Sequence, residues 1–313
     1  MGSSTSVRSN VLRTVILTIT AMFAFAANSL LCRMALGQDL IDAGSFTSIR
    51  IISGAITLLL IASIRGHTKK ITANWPGVAA LFCYMAFFSF AYLSLSAGTG
   101  ALLLFGSVQL TMFVSAIRHG ERFSLLSWAG LGAAFAGLVY LVAPGVTAPD
   151  PFGAALMATA GVAWGIYSLI GRRSGQPLLD TTANFVYSVP FTIALSALFL
   201  AGANVSMPGA MLAVTSGALA SGLGYAIWYA ALNGLTAGRA ATVQLSVPVI
   251  AALGGVLLLS EQITIRLAVA TGLTIGGIWI VLAQRSRLHC VGESQTHTQV
   301  ADVDKSADGP GKV

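Results

Sequence analysis

The chain has 313 residues, of which 56% are apolar and only 9% charged, with a net charge of +7 and a mean hydropathy of +0.82. A soluble domain carries roughly 25% charged residues, so this composition excludes a water-soluble globular protein and points to one embedded in a bilayer. The positive charge is scattered through short segments between apolar runs, which excludes a nucleic-acid footprint.

Residues 1–10 are polar and read as a cytoplasmic tail, and Val11–Ala35 is the first apolar run. Arg8, Arg13 and the Ala24-Phe25-Ala26 tract imitate a secretory signal with its cleavage site. We read the run as a retained first span, because it holds the place that Pro151–Ile170 holds later in the chain. Met1-Gly2 with Ser6 fits the myristoylation pattern, which would add nothing to a chain already spanning the membrane. A bilayer core of about 30 Å takes about twenty apolar residues per helix. Nine further spans of that kind follow: Ala43–Ile64, Trp75–Ala97, Thr99–Ile117, Leu125–Ala143, Pro151–Ile170, Thr181–Ala201, Pro208–Leu232, Ala237–Leu259 and Leu267–Ala283. Val142–Pro151 is the most loop-like stretch between them. His289–Val313 is polar and poor in large apolar residues, as a disordered tail would be.

The spans repeat. Trp228–Gln284 contains two long apolar runs split by Ser260-Glu261-Gln262, and Ala91–Leu141 is a weaker copy. Tyr92 pairs with Tyr229, Glu121 with Glu261, Gly132 with Gly272 and Gly137 with Gly277. Upstream, Ser29–Asp42 (SLLCRMALGQDLID) pairs with Ser168–Asp180 (SLIGRRSGQPLLD). The expected organisation is therefore a tail (1–10), a five-helix unit (11–144), a second five-helix unit (145–285) and a cytoplasmic tail (286–313). With the N-terminus inside, the inner segments collect Arg8, Arg13, Arg65, Lys69, Lys70, Arg118, Arg122, Arg172, Arg173, Arg239, Arg285, Arg287, Lys305 and Lys312. The outer side keeps Arg33, Arg50 and Arg266. That asymmetry places both termini in the cytoplasm. Five spans per unit is an odd number, so the second unit is inserted upside down relative to the first, a common transporter plan. The fold class expected is an all-α integral membrane protein of ten helices in two inverted repeats.

This pattern, with a glutamate closing the fourth helix of each half (His119-Gly120-Glu121 and Leu259-Ser260-Glu261), resembles the drug/metabolite transporter superfamily and its EamA-type exporters. The resemblance covers Val11 to Gln284 and rests on architecture and small-residue pattern. The tracts 222–234 (GLGYAIWYAALNG) and 246–261 (SVPVIAALGGVLLLSE) are also similar to aromatic amino acid exporters of the YddG type. The resemblance implies an exporter in a bacterial inner membrane.

Candidate binding residues follow from their cost in lipid. Arg50 lies about two turns inside its span, where an arginine costs roughly 2.5–3.5 kcal/mol on the insertion scale. It reads as an anchor for a substrate carboxylate or as a structural or snorkelling side chain; its counterpart in the second half is Ser188. Asn28, Gln109 and Gln244 are amides that need partners in lipid, either ligand or a neighbouring helix. Pro248 leaves the carbonyl of Gln244 without its helical donor, and Pro190 does the same to Val186, so both prolines mark kinks. Tyr84, Phe88 and Tyr92, Trp164 and Tyr167, and Tyr225, Trp228 and Tyr229 form aromatic faces, by core packing or around one cavity. Trp75, Trp128 and Trp279 stand near inner span ends as an interfacial belt. Glycines 130, 132, 137, 217, 222, 224, 272, 276 and 277 permit close helix contact.

The absences narrow the class. His67, His119, His289 and His297 fall in loops or tail, and Cys32, Cys83 and Cys290 are too scattered for a metal or disulfide framework. Neither HExxH nor GxSxG occurs. No catalytic residue, metal or cofactor is expected, nor an obligatory protein partner. Every Asp and Glu lies at a span end or beyond, so no titratable group is expected along a transport path. The sum is an exporter of amino acids, aromatic or apolar ones favoured, or similar amphipathic metabolites, working by alternating access. Multidrug efflux is the competing reading, with a membrane-embedded enzyme or scaffold third.

Overall fold

A computed structural model describes residues 2–66, 72–121, 123–172 and 174–284. His67, Lys69, Lys70, Arg122, Arg173 and the expected tail beyond residue 284 lie outside these. The regular structure of the described residues is helical, apart from an isolated antiparallel bridge between Ile41 and Val205. Ten helical segments run in order. The first half holds α1 (Gly2–Gly37), α2 (Ala43–Ile64), α3 (Trp75–Ala91), α4 (Ala97–Arg118) and α5 (Leu125–Val142). The second holds α6 (Pro151–Gly171), α7 (Pro177–Leu198), α8 (Met207–Leu232), α9 (Arg239–Leu259) and α10 (Ile265–Gln284). Eight of these are long and apolar enough to cross a membrane. The shorter α3 has 17 residues, and α7, at 22 residues, is diluted by Asp180, Thr181, Thr182, Asn184 and Ser188.

Local chemistry sets the helix starts. Asp42, Ser96, Ser124, Asp150 and Ser206 each accept the amide three residues on, satisfying a donor that the helix leaves open. The cap at Ser96 corrects one expected boundary. The third span ends at Ala91 rather than Ala97, and a turn through residues 92–96 leads into α4. Tyr92, Leu93 and Leu95 keep that turn apolar, which is why hydropathy ran through it. Similarly, α7 begins at Pro177, with proline in the first turn where its missing N–H costs nothing. Helix α9 is interrupted at Leu245, three residues before Pro248, where the Leu245 amide turns to the Thr242 carbonyl.

Helix packing repeats the duplication. The pair α3–α6 is matched by α8–α1, α4–α6 by α9–α1, and α2–α8 by α7–α3, while α2–α7 and α4–α9 map onto themselves. Exchanging the two halves thus regenerates the same neighbours. Helices α5 and α10 form a seam in which a Cβ on Gly130 would press the Gly277 carbonyl and one on Gly137 would meet the Thr274 hydroxyl at 2.6 Å. Gly132, Gly272 and Gly276 were expected to share this role, but each faces open space. At 100° per residue, Gly132 lies some 200° around α5 from Gly130, on the far side from the seam. Outward faces carry large apolar side chains such as Leu60, Phe135 and Leu257, and Trp75, Trp128 and Trp279 are exposed as a belt requires.

Candidate functional site

Arg50 is fully buried. Helix α8 closes over it because two glycines let the backbones touch: Gly217 lies against the Arg50 carbonyl, and a Cβ on Gly222 would sit 3.2 Å from the Gly54 carbonyl. Between them α8 widens into a π-helical stretch, Ser216–Leu223, a distortion often found at functional sites. The wider turn brings Ser216 and Ser221, five residues apart, to one point. Both hydroxyls donate to Asn28 Oδ1, at 2.9 and 3.3 Å, and Asn28 Nδ2 donates to the Ala220 carbonyl at 3.3 Å. The Asn28 amide is therefore consumed in holding α1 to α8.

The guanidinium spans three helices. Arg50 Nε donates to Ser221 Oγ at 3.3 Å, and Nη2 donates to Tyr84 Oη at 3.2 Å. Its Cζ lies 4.7 Å from the Phe88 ring centre and 5.6 Å from that of Tyr84, within the range of a cation–π attraction. All of these partners are neutral. Arg50 Nη1 has no hydrogen-bond partner, and neither does the buried Tyr225 hydroxyl.

An aromatic chamber adjoins this cation. Trp164 stacks on Tyr225 at 5.3 Å and on Tyr167 at 5.4 Å, and its ring meets Tyr84 at 4.8 Å. The enclosed space is about 20 Å³, walled by Phe25 and Asn28 of α1, Tyr84 and Phe88 of α3, Leu104 and Phe105 of α4, Trp164 of α6 and Tyr225 of α8. That volume holds about one water, so the chamber is shut around its own aromatic rings. A larger cavity of about 520 Å³ lies apart, bordered by Asp42, Phe90, Leu198, Phe199 and Asn204 at the ends of α2, α3 and α7. It lacks the phenols that wall the small chamber.

The structure thus gathers Asn28, Arg50, Tyr84, Trp164 and Tyr225, which the sequence singled out. Tyr167 backs Trp164, and its hydroxyl donates to Thr181, which also bonds Tyr229. Trp228 packs edge-on against Phe25 at 5.8 Å, one layer behind the chamber. Tyr92 instead ends α3, its hydroxyl donating to the Ala97 carbonyl. Half-buried Gln109 and Gln244 do not wall the chamber. Pro190 sits inside an unbroken α7. Ser221, the link between Arg50 and Asn28, escaped sequence reading. A small hydroxyl amid Ser-Gly-Ala-Leu-Ala-Ser-Gly gives no signal of its own.

A second polar cluster lies at the C-terminal end of α1. Arg33 Nε pairs with Glu261 Oε1 at 3.3 Å, and Nη1 donates to the carbonyls of Tyr92 and Leu93 at 3.1 and 3.2 Å. The Glu261 carboxylate also accepts the Ala97 amide, at 2.9 Å to Oε2. A carboxylate at the first amide of α4 is favoured by the helix dipole. One cluster so ties α1, the end of α3, the start of α4 and the turn after α9.

Comparison with known proteins agrees with this architecture. An uncharacterized protein of Pseudomonas aeruginosa is 49% identical over 274 residues, covering 87% of this chain and 96% of that protein. An uncharacterized transporter of Archaeoglobus fulgidus is 27% identical, covering 67% of this chain and 76% of its own. The uncharacterized transporter YoaV of Bacillus subtilis is 23% identical, covering 75% and 85%. A solved crystal structure at 20% identity shares the fold with a TM-score of 0.62, covering 87% of this chain and 98% of that one. The family model of EamA-like transporters matches twice, over residues 12–143 and 151–283, and the chain belongs to the EamA-like transporter family.

Proposed function

We propose that this transporter exports small amphipathic carboxylates, including amino acids with aromatic or apolar side chains, from a bacterial cytoplasm across the inner membrane. The observation that carries the reading is Arg50: a buried guanidinium with neutral partners, an unpartnered N–H and an adjoining aromatic chamber. A carboxylate would complete its hydrogen bonding, and the rings would receive an apolar body. Transport is by alternating access, the two halves rocking about this point, and the protein acts as a carrier rather than an enzyme. The outward direction is supported by likeness to EamA-type exporters. Both termini are cytoplasmic on the distribution of Lys and Arg. Movement is facilitated diffusion or exchange, since the described acidic residues Asp39, Asp42, Glu121, Asp150, Asp180 and Glu261 stand at or near helix ends.

Counterflow in proteoliposomes against a panel of amino acids and their amides tests the substrate reading. Carboxylates are expected to exchange and amides to fail; equal exchange of both favours multidrug efflux. Imposed pH gradients are expected to drive no concentrative uptake. Orientation is checked on a cysteine-free background, where a thiol at Thr147 should react from outside and one at Ser174 only after permeabilisation.

A further inference from the structure

We infer that the Arg50 chamber takes a net anion, an aryl or alkyl monocarboxylate without an ammonium group, in preference to the corresponding zwitterionic amino acid. The inference rests on the reading of Arg50 as a carboxylate anchor and narrows it. Its basis is the balance of donors and acceptors around the guanidinium.

What lacks a partner there is donor capacity. Arg50 Nη1 carries two hydrogens with nothing to accept them, and the Tyr225 hydroxyl adds a third polar hydrogen. Both side chains are at most 2% exposed, so bulk solvent does not reach them. The acceptors, in contrast, are neutral and, the Tyr225 oxygen aside, already engaged. Asn28 Oδ1 receives Ser216 and Ser221, Ser221 Oγ receives Arg50 Nε, and Tyr84 Oη receives Nη2. A carboxylate brings two acceptor oxygens and no hydrogen, which is what this set is missing.

An ammonium group brings the reverse. It adds three donors where, of these side-chain oxygens, only the neutral Tyr225 hydroxyl is unengaged, and it sets a second positive charge near the first in a low-dielectric site. No Asp or Glu of the described residues lines the chamber to receive it. The ring faces able to hold a cation are partly engaged, since Tyr84 and Phe88 already serve Arg50 and Trp164 is stacked between Tyr167 and Tyr225. The zwitterion therefore gains at its carboxylate and loses at its ammonium, while the deaminated acid only gains.

Three probes with one carbon skeleton separate these terms: 3-phenylpropanoate, phenylalanine and phenylalaninamide. The full chain, purified in detergent, is titrated with each at constant chloride and followed by thermal unfolding and by competition for a labelled arylcarboxylate. The expected result is binding of 3-phenylpropanoate at least tenfold tighter than phenylalanine, with phenylalaninamide inert. Tyr225→Phe keeps the ring and removes one unpartnered donor, so it should weaken 3-phenylpropanoate and phenylalanine alike, severalfold, and leave their ratio unchanged. Arg50→Gln should abolish the preference in protein shown to be monodisperse. Phenylalanine binding as tightly as 3-phenylpropanoate would sink the inference while leaving the carboxylate anchor intact. Phenylalaninamide binding equally well would remove the anchor itself. Stabilisation by chloride or phosphate alone to the same extent would make this an inorganic-anion site and overturn the assignment.

Discussion

Two arginines on neighbouring helices show how differently one charge can be used. Arg33 is partly exposed and answered by the Glu261 carboxylate and two carbonyls. Arg50 is sealed from solvent and answered by a serine, a phenol and two ring faces, with one nitrogen left over. A paired charge near the surface costs little to keep and can come apart. A buried charge without a counterion is expensive, and a protein that retains one leaves room for the missing charge to arrive from outside. On the function proposed here, the contrast is one between a closing device and a binding device.

The largest effect is expected at Arg50. Arg50→Ala should weaken carboxylate binding by roughly 1.5–3 kcal/mol, the worth of a charge-assisted hydrogen bond, or about ten- to a hundredfold. Titration of the purified variant measures it, with size-exclusion elution as the control for folding. Equal weakening of a carboxylate and its amide would return Arg50 to a structural role.

The backbone contact that shelters Arg50 comes next. Gly217→Val places a side chain where the Arg50 carbonyl lies, and overpacking of this kind costs about 1–3 kcal/mol. The expected readout is a lowered unfolding temperature, whereas Gly132→Val, facing open space, should leave it unchanged. A similar loss in both would show that the α2–α8 approach is not tight.

Glu261→Gln removes the counterion of Arg33 and weakens the acceptor at Ala97. We expect a shift of about 1–2 kcal/mol, a factor of roughly 5–30 in population, toward the state open at this end. Native Cys32, fully buried one residue from Arg33, supplies the probe once Cys83 and Cys290 are replaced. Its labelling by an impermeant maleimide should accelerate by that factor while carboxylate affinity stays near its original value. Unchanged labelling would mean the Arg33 cluster does not hold this end shut. The duplication pairs Arg33 with Arg172 and Glu261 with Glu121, so the same substitution at Glu121 tests the opposite end.

The smallest effect is expected at Tyr84→Phe, which keeps the ring and removes one neutral partner of Arg50. A loss of about 0.5–1.5 kcal/mol should appear as a few-fold weaker carboxylate binding by titration. A hundredfold loss would instead make Tyr84 a direct ligand.

Sequence alone determined the scaffold, because lipid leaves backbone groups no partner outside the helix and so converts apolar runs almost directly into helices. The duplication was legible for the same reason: Glu121 and Glu261, or Asp42 and Asp180, hold fixed places at the ends of equivalent runs. Arg50 stood out through cost, as the one basic residue inside the second span. Where apolar residues filled a turn, as at Tyr92, Leu93 and Leu95, hydropathy carried no boundary and the Ser96 cap decided it. The chamber itself belongs to tertiary structure. The apolar faces of these helices look alike in sequence, and only packing shows that Tyr84, Trp164 and Tyr225 meet while Gln109 and Gln244 stay outside. The π-helical turn of α8 carries no sequence signature, because it arises from the closeness of Gly217 to α2 and from the two serines that Asn28 draws together. It is a property of the contact between helices, and no single helix could have announced it.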